Sequence, residues 1–336
     1  MERRWLKFVI FYCAALLLVG ASILAYDGYQ LYYRPMIAKD HQPIILQIDK
    51  STTASSLVNQ LQEQHLVSSR RLMLWLIRVK GWSAQLKAGI YEIEPGESSS
   101  SFLQRVVSGD VLKKSFQIIE GTTKNQIDVN LQYAPYLTYS PADWALVTKS
   151  YANAEGLLLA DTYSYDAGSQ GKDLLTRAHK SLVQYLEQSW NNRDPNLPYK
   201  SSYELLTTAS ILEKETALAS ERRLIAGVIV NRLRKNMPLQ MDPTIIYALG
   251  SQYSGTLSHS DMQIESPYNS YRHRGLPPTP IAMVGKDAID AAAHPQMTNF
   301  LYFVAKGDGS HHFSVNYEQQ RQAIDRYLKG RKPSYE

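Results

Sequence analysis

The chain has 336 residues, 44% hydrophobic and 20% charged, with a formal net charge of +5. That is the profile of an ordinary globular protein of one large domain or two, and the modest basic excess, without a zinc-finger or RNA-binding motif, gives no reason to expect nucleic acid as a partner. One cysteine, Cys13, excludes an intrachain disulfide, and 23 tyrosines against 7 phenylalanines provide ring faces with hydroxyls, which suit sugar rings as well as half-buried surface.

The first predicted element is a membrane span. Phe8 to Tyr26 carries no charge and approaches the ~20 residues that cross a bilayer. Arg3, Arg4 and Lys7 precede it, so residues 1–7 are expected in the cytoplasm and everything after the span, 8–26, outside it. A cleaved signal peptide is the alternative, but Ile23-Leu24-Ala25 puts a bulky residue where a small one is needed, which favours an uncleaved, single-pass anchor.

Residues 27–43 read as a stalk, punctuated by Arg34-Pro35 and Gln42-Pro43. Three strand–turn–helix units follow: Ile44–Ile48 with a helix bearing Leu57, Val58 and Leu61; Gly89–Glu94 with Phe102, Leu103, Val106 and Val107; and Ser115–Glu120 with a helix from about Asn125. In each, apolar alternation gives way to helical spacing after a turn and a Ser/Thr cap. An apolar helix, Arg70–Val79, lies between the first two. Units of this kind could bind a ligand or act as a spacer.

From Asp143 helices dominate. Asp173–Trp190, Tyr203–Lys214 and Glu221–Leu233 are predicted, with Ser220 as N-cap of the third. Asn236–Pro238 stops that helix, and the prolines of Gly275–Pro280 force extended chain. A helix over Lys286–Ala293, a hairpin of Phe300–Ala305 with His311–Val315, and a last helix from Asn316, with Gln319 completing a capping box, end an α+β region.

Two glutamates in the run Thr208–Ala217, at the end of the predicted Tyr203–Lys214 helix, could carry chemistry. Glu213 and Glu215 point about 200° apart, so only one faces a given cleft. Around Glu215 the helical neighbours are Ile211, Leu212, Leu218 and Ala219; Glu213 has Ala209, Ser210, Thr216 and Ala217. The apolar setting suits Glu215 to act as a general acid, because removing water raises a carboxyl pKa. The alternative is a solvated helix residue paired with a nearby Lys or Arg. Glycoside hydrolysis normally needs a second carboxylate; Glu155, Asp161 and Asp242 are candidates, though Asp242 before Pro243 could equally cap a helix. Tyr268, Asn269, Ser270 and Tyr271, with Gln240 and Arg274, could bind sugar hydroxyls or simply pack loops. No phosphate loop, His-Glu-x-x-His or Gly-x-Ser-x-Gly motif is present, and His311-His312 on one strand face opposite sides, so neither a metal nor a cofactor is expected.

Taken in order, the blocks Ala209–Thr216 (ASILEKET), Ser220-Glu221-Arg222, Val230–Leu233 (VNRL), Met237–Tyr247 (MPLQMDPTIIY), Tyr268–Tyr271 (YNSY), Gly275–Pro278 (GLPP) and Leu301–Val304 (LYFV) resemble the endolytic murein transglycosylases, the MltG/YceG-like family. The resemblance covers nearly the whole chain. It implies a LysM-like α/β subdomain over 44–125, a catalytic domain over 126–336, and an inner-membrane protein with its catalytic part in the periplasm. It carries the catalytic role onto Glu215 and makes Glu155, Asp161, Tyr163, Gln240, Asp242, Tyr268, Asn269 and Tyr271 candidate substrate contacts. Peptidoglycan glycan strands would be the substrate and peptidoglycan synthases possible partners. A lytic transglycosylase needs no water nucleophile: one glutamate protonates the glycosidic oxygen, then deprotonates the sugar's own 6-hydroxyl, which closes to a 1,6-anhydro end. A hydrolytic muramidase and a non-catalytic glycan-binding scaffold are the alternatives. The chain departs from the family pattern at Ala160 (usually Pro), Thr279 (commonly Gly) and Met283-Val284.

Overall fold

The computed structural model describes residues 2–327. The chain forms two compact units, one running to Lys114 and including Asp166–Gly168, the other made of Ser115–Tyr165 and the chain from Ser169 onward.

The first unit begins with α1 (Glu2–Tyr32), within which Lys7–Tyr32 is long and apolar enough to cross a membrane. The helix does not stop at Tyr26: residues 27–32, read as stalk, continue it, and Leu31 is buried in the unit's core with Met36 and Ile37. Then come β1 (Ile44–Ile48), α2 (Ala54–Glu63), α3 (Arg70–Val79), β2 (Gly89–Ile93) and α4 (Ser99–Ser108). β1 and β2 pair antiparallel, with Leu46 opposite Tyr91. Alternation sends Leu46, Ile48, Tyr91 and Ile93 to one face, where Leu57, Leu61, Met73, Ile77, Phe102 and Leu103 cover them. Thr53, Ser69 and Ser98 cap the three helices that follow α1, each accepting a backbone N–H three residues on.

The second unit takes in most of β3 (Lys113–Gln117), which pairs with β4 (Thr162–Asp166), and α5 (Lys124–Gln132), held by a Thr123/Gln126 capping box. Phe116, Ile118, Ile127 and Leu131 join this unit's core, so the third strand–turn–helix packs here and not with the first two. After α6 (Ala145–Thr148) come α7 (Gly171–Asn192), α8 (Ser202–Glu215), α9 (Ala219–Arg234), α10 (Asp242–Leu249), α11 (Lys286–Ala293), the hairpin of β5 (Tyr302–Ala305) and β6 (His311–Ser314), and α12 (Tyr317–Tyr327).

α8 is the central helix, packed by α7, α9, α10 and α11 and buried on every side from Leu205 to Leu212. Three of its hydroxyls are satisfied within the helix: Thr207 and Thr208 donate to the carbonyls of Tyr203 and Glu204, and Ser210 to that of Thr207, whereas the Tyr203 hydroxyl is buried without a partner among the described residues. Two predicted caps are corrected. α9 starts at Ala219, so Ser220 lies inside it, and the Thr216 hydroxyl instead accepts from Leu218 N–H at the turn. Asp242 is the first residue of α10 and not its cap, which is Met241. At α12, Asn316 accepts from Gln319 N–H, while the Gln319 side chain reaches one residue further back, to Val315 N–H.

Candidate active site

Glu215 is the last residue of α8. Ile211 and Leu212, one turn back, are fully buried, but Leu218 and Ala219 follow the helix end and do not extend the same face. The Oε2 of Glu215 is buried and has no hydrogen-bond partner among the described residues. That burial, reinforced by the negative charge of Asp242 and opposed by the Arg232 guanidinium, pushes its pKa up to about 8. The shift favours the protonated carboxyl at neutral pH.

Two clefts of the second unit meet at this carboxyl. The first, about 690 Å³, is bordered by charged groups: Glu120, Asp161, Glu213, Lys214, Arg222, Lys286 and Asp287. The second, about 390 Å³, is bordered by Arg232, Gln240, Asp242, Tyr271, Phe303 and His311, among others. Glu215 lines both.

The walls of the second cleft are held by a buried cation. Arg232 lies on the stripe of α9 that carries Val228 and Ile229, and is only 6% exposed. Its guanidinium donates to the carbonyls of Leu301 (2.6 Å), Leu239 (2.7 Å) and Pro238 (3.1 Å) and to Gln240 Oε1 (3.2 Å), and it lies over the Tyr302 ring. Burial lowers its pKa from the ordinary arginine value. Gln240 takes a left-handed backbone, φ 51°, fixed by its N–H on the Ser270 carbonyl. Met241 N–H and the Thr244 hydroxyl bond to Ser270 Oγ, and the Tyr271 hydroxyl donates to Asp242 Oδ1 at 2.5 Å. Residues 239–244 are thus pinned by the loop at 268–271, which brings two blocks far apart in sequence into contact.

Of the sequence-predicted residues, Glu215, Gln240, Asp242 and Tyr271 share the second cleft, and Asp161 joins Glu215 in the first. Glu155, Tyr163, Tyr268 and Asn269 line neither. Glu155 is buried, accepting from Lys124 N–H and the Tyr247 hydroxyl, and burial raises its pKa. Its neighbour Gly156 has φ +71°, and a Cβ there would lie 2.4 Å from Pro280 Cβ, which accounts for the Glu-Gly pair. Tyr163 donates to the Leu159 carbonyl, and the Tyr268 hydroxyl pairs with that of Thr279. Asn269 is fully buried, donating to the Met262 and Ile264 carbonyls and accepting from Tyr271 N–H, so its polar atoms are used up inside the loop. Arg274 donates to the Asn236 carbonyl. Among the departures from the family pattern, Ala160 borders the first cleft, while Met283 holds the 121–122 turn through backbone bonds that any side chain would permit.

Glu213 also turns out to be buried. It accepts from Gly285 N–H at 2.9 Å and pairs with Arg222 at 3.4 Å; burial raises its pKa, with those partners opposing. Three functional candidates escaped the sequence reading. Arg232 had a signal, a charge on an apolar helical stripe. Arg222 and the Glu221–His311 pair did not: Arg222 meets Glu213 across the turn between α8 and α9, and His311 lies 90 residues from Glu221.

The profile of the YceG-like family matches residues 46–326. An endolytic murein transglycosylase of Bacillus subtilis (strain 168) is 29% identical over 321 residues, which cover 88% of either chain. One from Streptococcus pneumoniae serotype 2 (strain D39 / NCTC 7466) is 25% identical over 367 residues, covering 96% of this chain and 66% of that protein. Among solved structures, the crystal structure of a yceG-like protein from Listeria monocytogenes aligns with a TM-score of 0.53 at 26% identity, covering 84% of this chain and 99% of that one.

Proposed function

Since the chain belongs to the YceG-like family, we propose that it is a membrane-anchored endolytic murein transglycosylase that cuts glycan strands between N-acetylmuramic acid and N-acetylglucosamine and leaves a 1,6-anhydro end. The observation that carries this reading is the Glu215 carboxyl, with one buried and unpartnered oxygen, on a residue that lines two clefts. Clefts on both sides of the acid suit a bond in the interior of a strand.

In this mechanism Glu215 gives its proton to the glycosidic oxygen as the bond from the anomeric carbon breaks. The resulting carboxylate takes the proton of the 6-hydroxyl while that oxygen bonds to the anomeric carbon. The carboxyl ends protonated again, and no water is consumed. A pKa near 8 fits both steps at neutral pH. Asp161, Gln240, Asp242 and Tyr271 border the strand's path, and Glu155, Tyr163, Tyr268 and Asn269 support it from behind.

A hydrolytic muramidase is the second reading, favoured by one observation: Asp242 shares the second cleft with Glu215 and could serve as the other carboxylate. Product mass separates the two. Anhydro ends are lighter by one water than reducing ends, and a preparation yielding only reducing ends would eliminate the transglycosylase reading. A Glu215→Gln protein that still releases anhydro product at the native rate would remove Glu215 from the mechanism and leave a glycan-binding scaffold open.

The β1–α2–α3–β2 order, with paired strands around two helices, supports a LysM-like glycan-contacting subdomain in the first unit. The apolar helix with Lys7 at its start supports a single-pass anchor that keeps the N-terminus cytoplasmic and both units outside, close to the peptidoglycan synthases that would extend the same strands.

A further inference from the structure

The second cleft contains a hydrogen-bond donor and an acceptor whose orientations are each dictated by a charged partner. The acceptor is His311 on β6. Glu221, near the start of α9, takes two hydrogen bonds from this residue: from its backbone N–H to Oε1 at 3.0 Å and from its ring Nδ1 to Oε2 at 2.7 Å. Both side chains are largely buried, at 11% and 15% exposure. A carboxylate can only accept, so the proton of the neutral imidazole resides on Nδ1. Nε2 is left as a lone pair, with no hydrogen bond from the described residues, on a ring that borders the cleft and is steadied by Phe303 and Phe313.

The donor is Gln240. A guanidinium can only donate, so the oxygen of the Gln240 amide is the atom that faces Arg232. Its NH2 group is left over, without a partner among the described residues, on a side chain that also borders the cleft. The left-handed backbone of Gln240 and the packing of Arg232 hold it in place.

One fixed donor and one fixed acceptor in the same cleft complement a secondary amide, which has one carbonyl oxygen and one N–H. We propose that Gln240 and His311 read a secondary amide of the substrate, the 2-acetamido group of a sugar in the second cleft, with Glu221 acting as a positioning residue that keeps the acceptor tautomer. This rests on the glycan-cleaving reading above and assigns it a specificity device. Peptide bonds of a stem carry the same chemistry and are the other source to be tested.

Glu221→Gln provides the discriminating variant. A glutamine can still accept from His311 N–H, but its amide donates to Nδ1. The imidazole proton then moves to Nε2 and the acceptor becomes a donor, with the hairpin contact retained. The full-length wild type and E221Q are compared on native glycan strands, on strands stripped of stems, and on chemically de-N-acetylated strands. The expected result is a drop of about tenfold or more in kcat/KM for E221Q on native and stem-free strands, at an unchanged melting temperature, with imidazole 15N shifts reporting the Nε2–H tautomer. On de-N-acetylated strands the wild type falls by a similar factor and E221Q falls no further, because the contact is already gone. Gln240→Met, which deletes the donor without touching the hairpin, follows the same pattern. E221Q activity equal to wild type on native strands, or a defect of equal size with and without acetyl groups, overturns the proposal. A defect that disappears on stem-free strands overturns the acetamido assignment in favour of a peptide bond. None of these outcomes depends on whether the product end is anhydro or reducing, which tests the transglycosylase reading separately.

Discussion

Glu213 and Glu215 sit two positions apart on one helix, and burial raises the pKa of both. Glu213 is answered: a backbone N–H and a guanidinium meet its oxygens. Glu215 has a buried oxygen that none of the described residues meets, and the like charge of Asp242 acts on it more strongly than the opposing Arg232 guanidinium. On the proposed mechanism, the contrast separates burial from readiness to act as an acid. A satisfied buried carboxylate ties a helix end to its surroundings, whereas an unsatisfied one retains a proton it can give away.

The sharpest way to break this contrast is to neutralise each glutamate in turn. Glu215→Gln should reduce anhydro-product formation by about 10²–10⁴-fold, measured by chromatography of digested strands. The same variant should be more stable than wild type at alkaline pH. The folded-state pKa of Glu215 is raised, so the native protein holds a proton that the unfolded chain releases, and wild-type stability declines as pH rises from about 4.5 to about 8. The gap in melting temperature between E215Q and wild type should open over that window and close below it. Next in size, Arg232→Met should destabilise the second unit by on the order of 3 kcal/mol in denaturant titrations, since it strands several buried carbonyls. Glu213→Gln should lower stability by about 1 kcal/mol through the weakened Arg222 contact, yet leave kcat within a few-fold. A loss comparable to that of E215Q would collapse the distinction between the two. Smallest of all, Asp242→Asn removes a like charge, so the alkaline limb of the rate profile should move down by roughly half a pH unit.

The sequence made Glu215 legible because its preceding turn, Ile211-Leu212, is apolar and buried. It misread the following turn: its pattern ends the helix at Lys214, one residue short of the actual end, yet counts Leu218 and Ala219 as neighbours on its face. What it could not show is how Glu213 is satisfied, because its partners Gly285 and Arg222 lie 72 and 9 residues away. Strand–helix alternation located most elements to within a few residues. Membership of a core is a tertiary property, and for that reason the pattern could not tell that Phe116 and Ile127 pack with the second unit. Asn269 looked like a sugar ligand because an exposed and a loop-locking asparagine have the same local signature.

One consequence remains in the way the first unit starts. α1 is 31 residues long, about 46 Å at 1.5 Å per residue, and its far end is sewn into that unit's core through Leu31, with Met36 and Ile37 close behind. No disordered stretch separates the apolar segment from folded protein. A chain leashed by a loose linker explores a volume that grows with linker length. On the anchored reading proposed above this one has no slack, so the folded part of the first unit would ride at a fixed height on the layer that holds the helix. Inserting a flexible run after Tyr26 would lengthen its reach, and any activity confined to freshly made polymer at that surface should then spread outward.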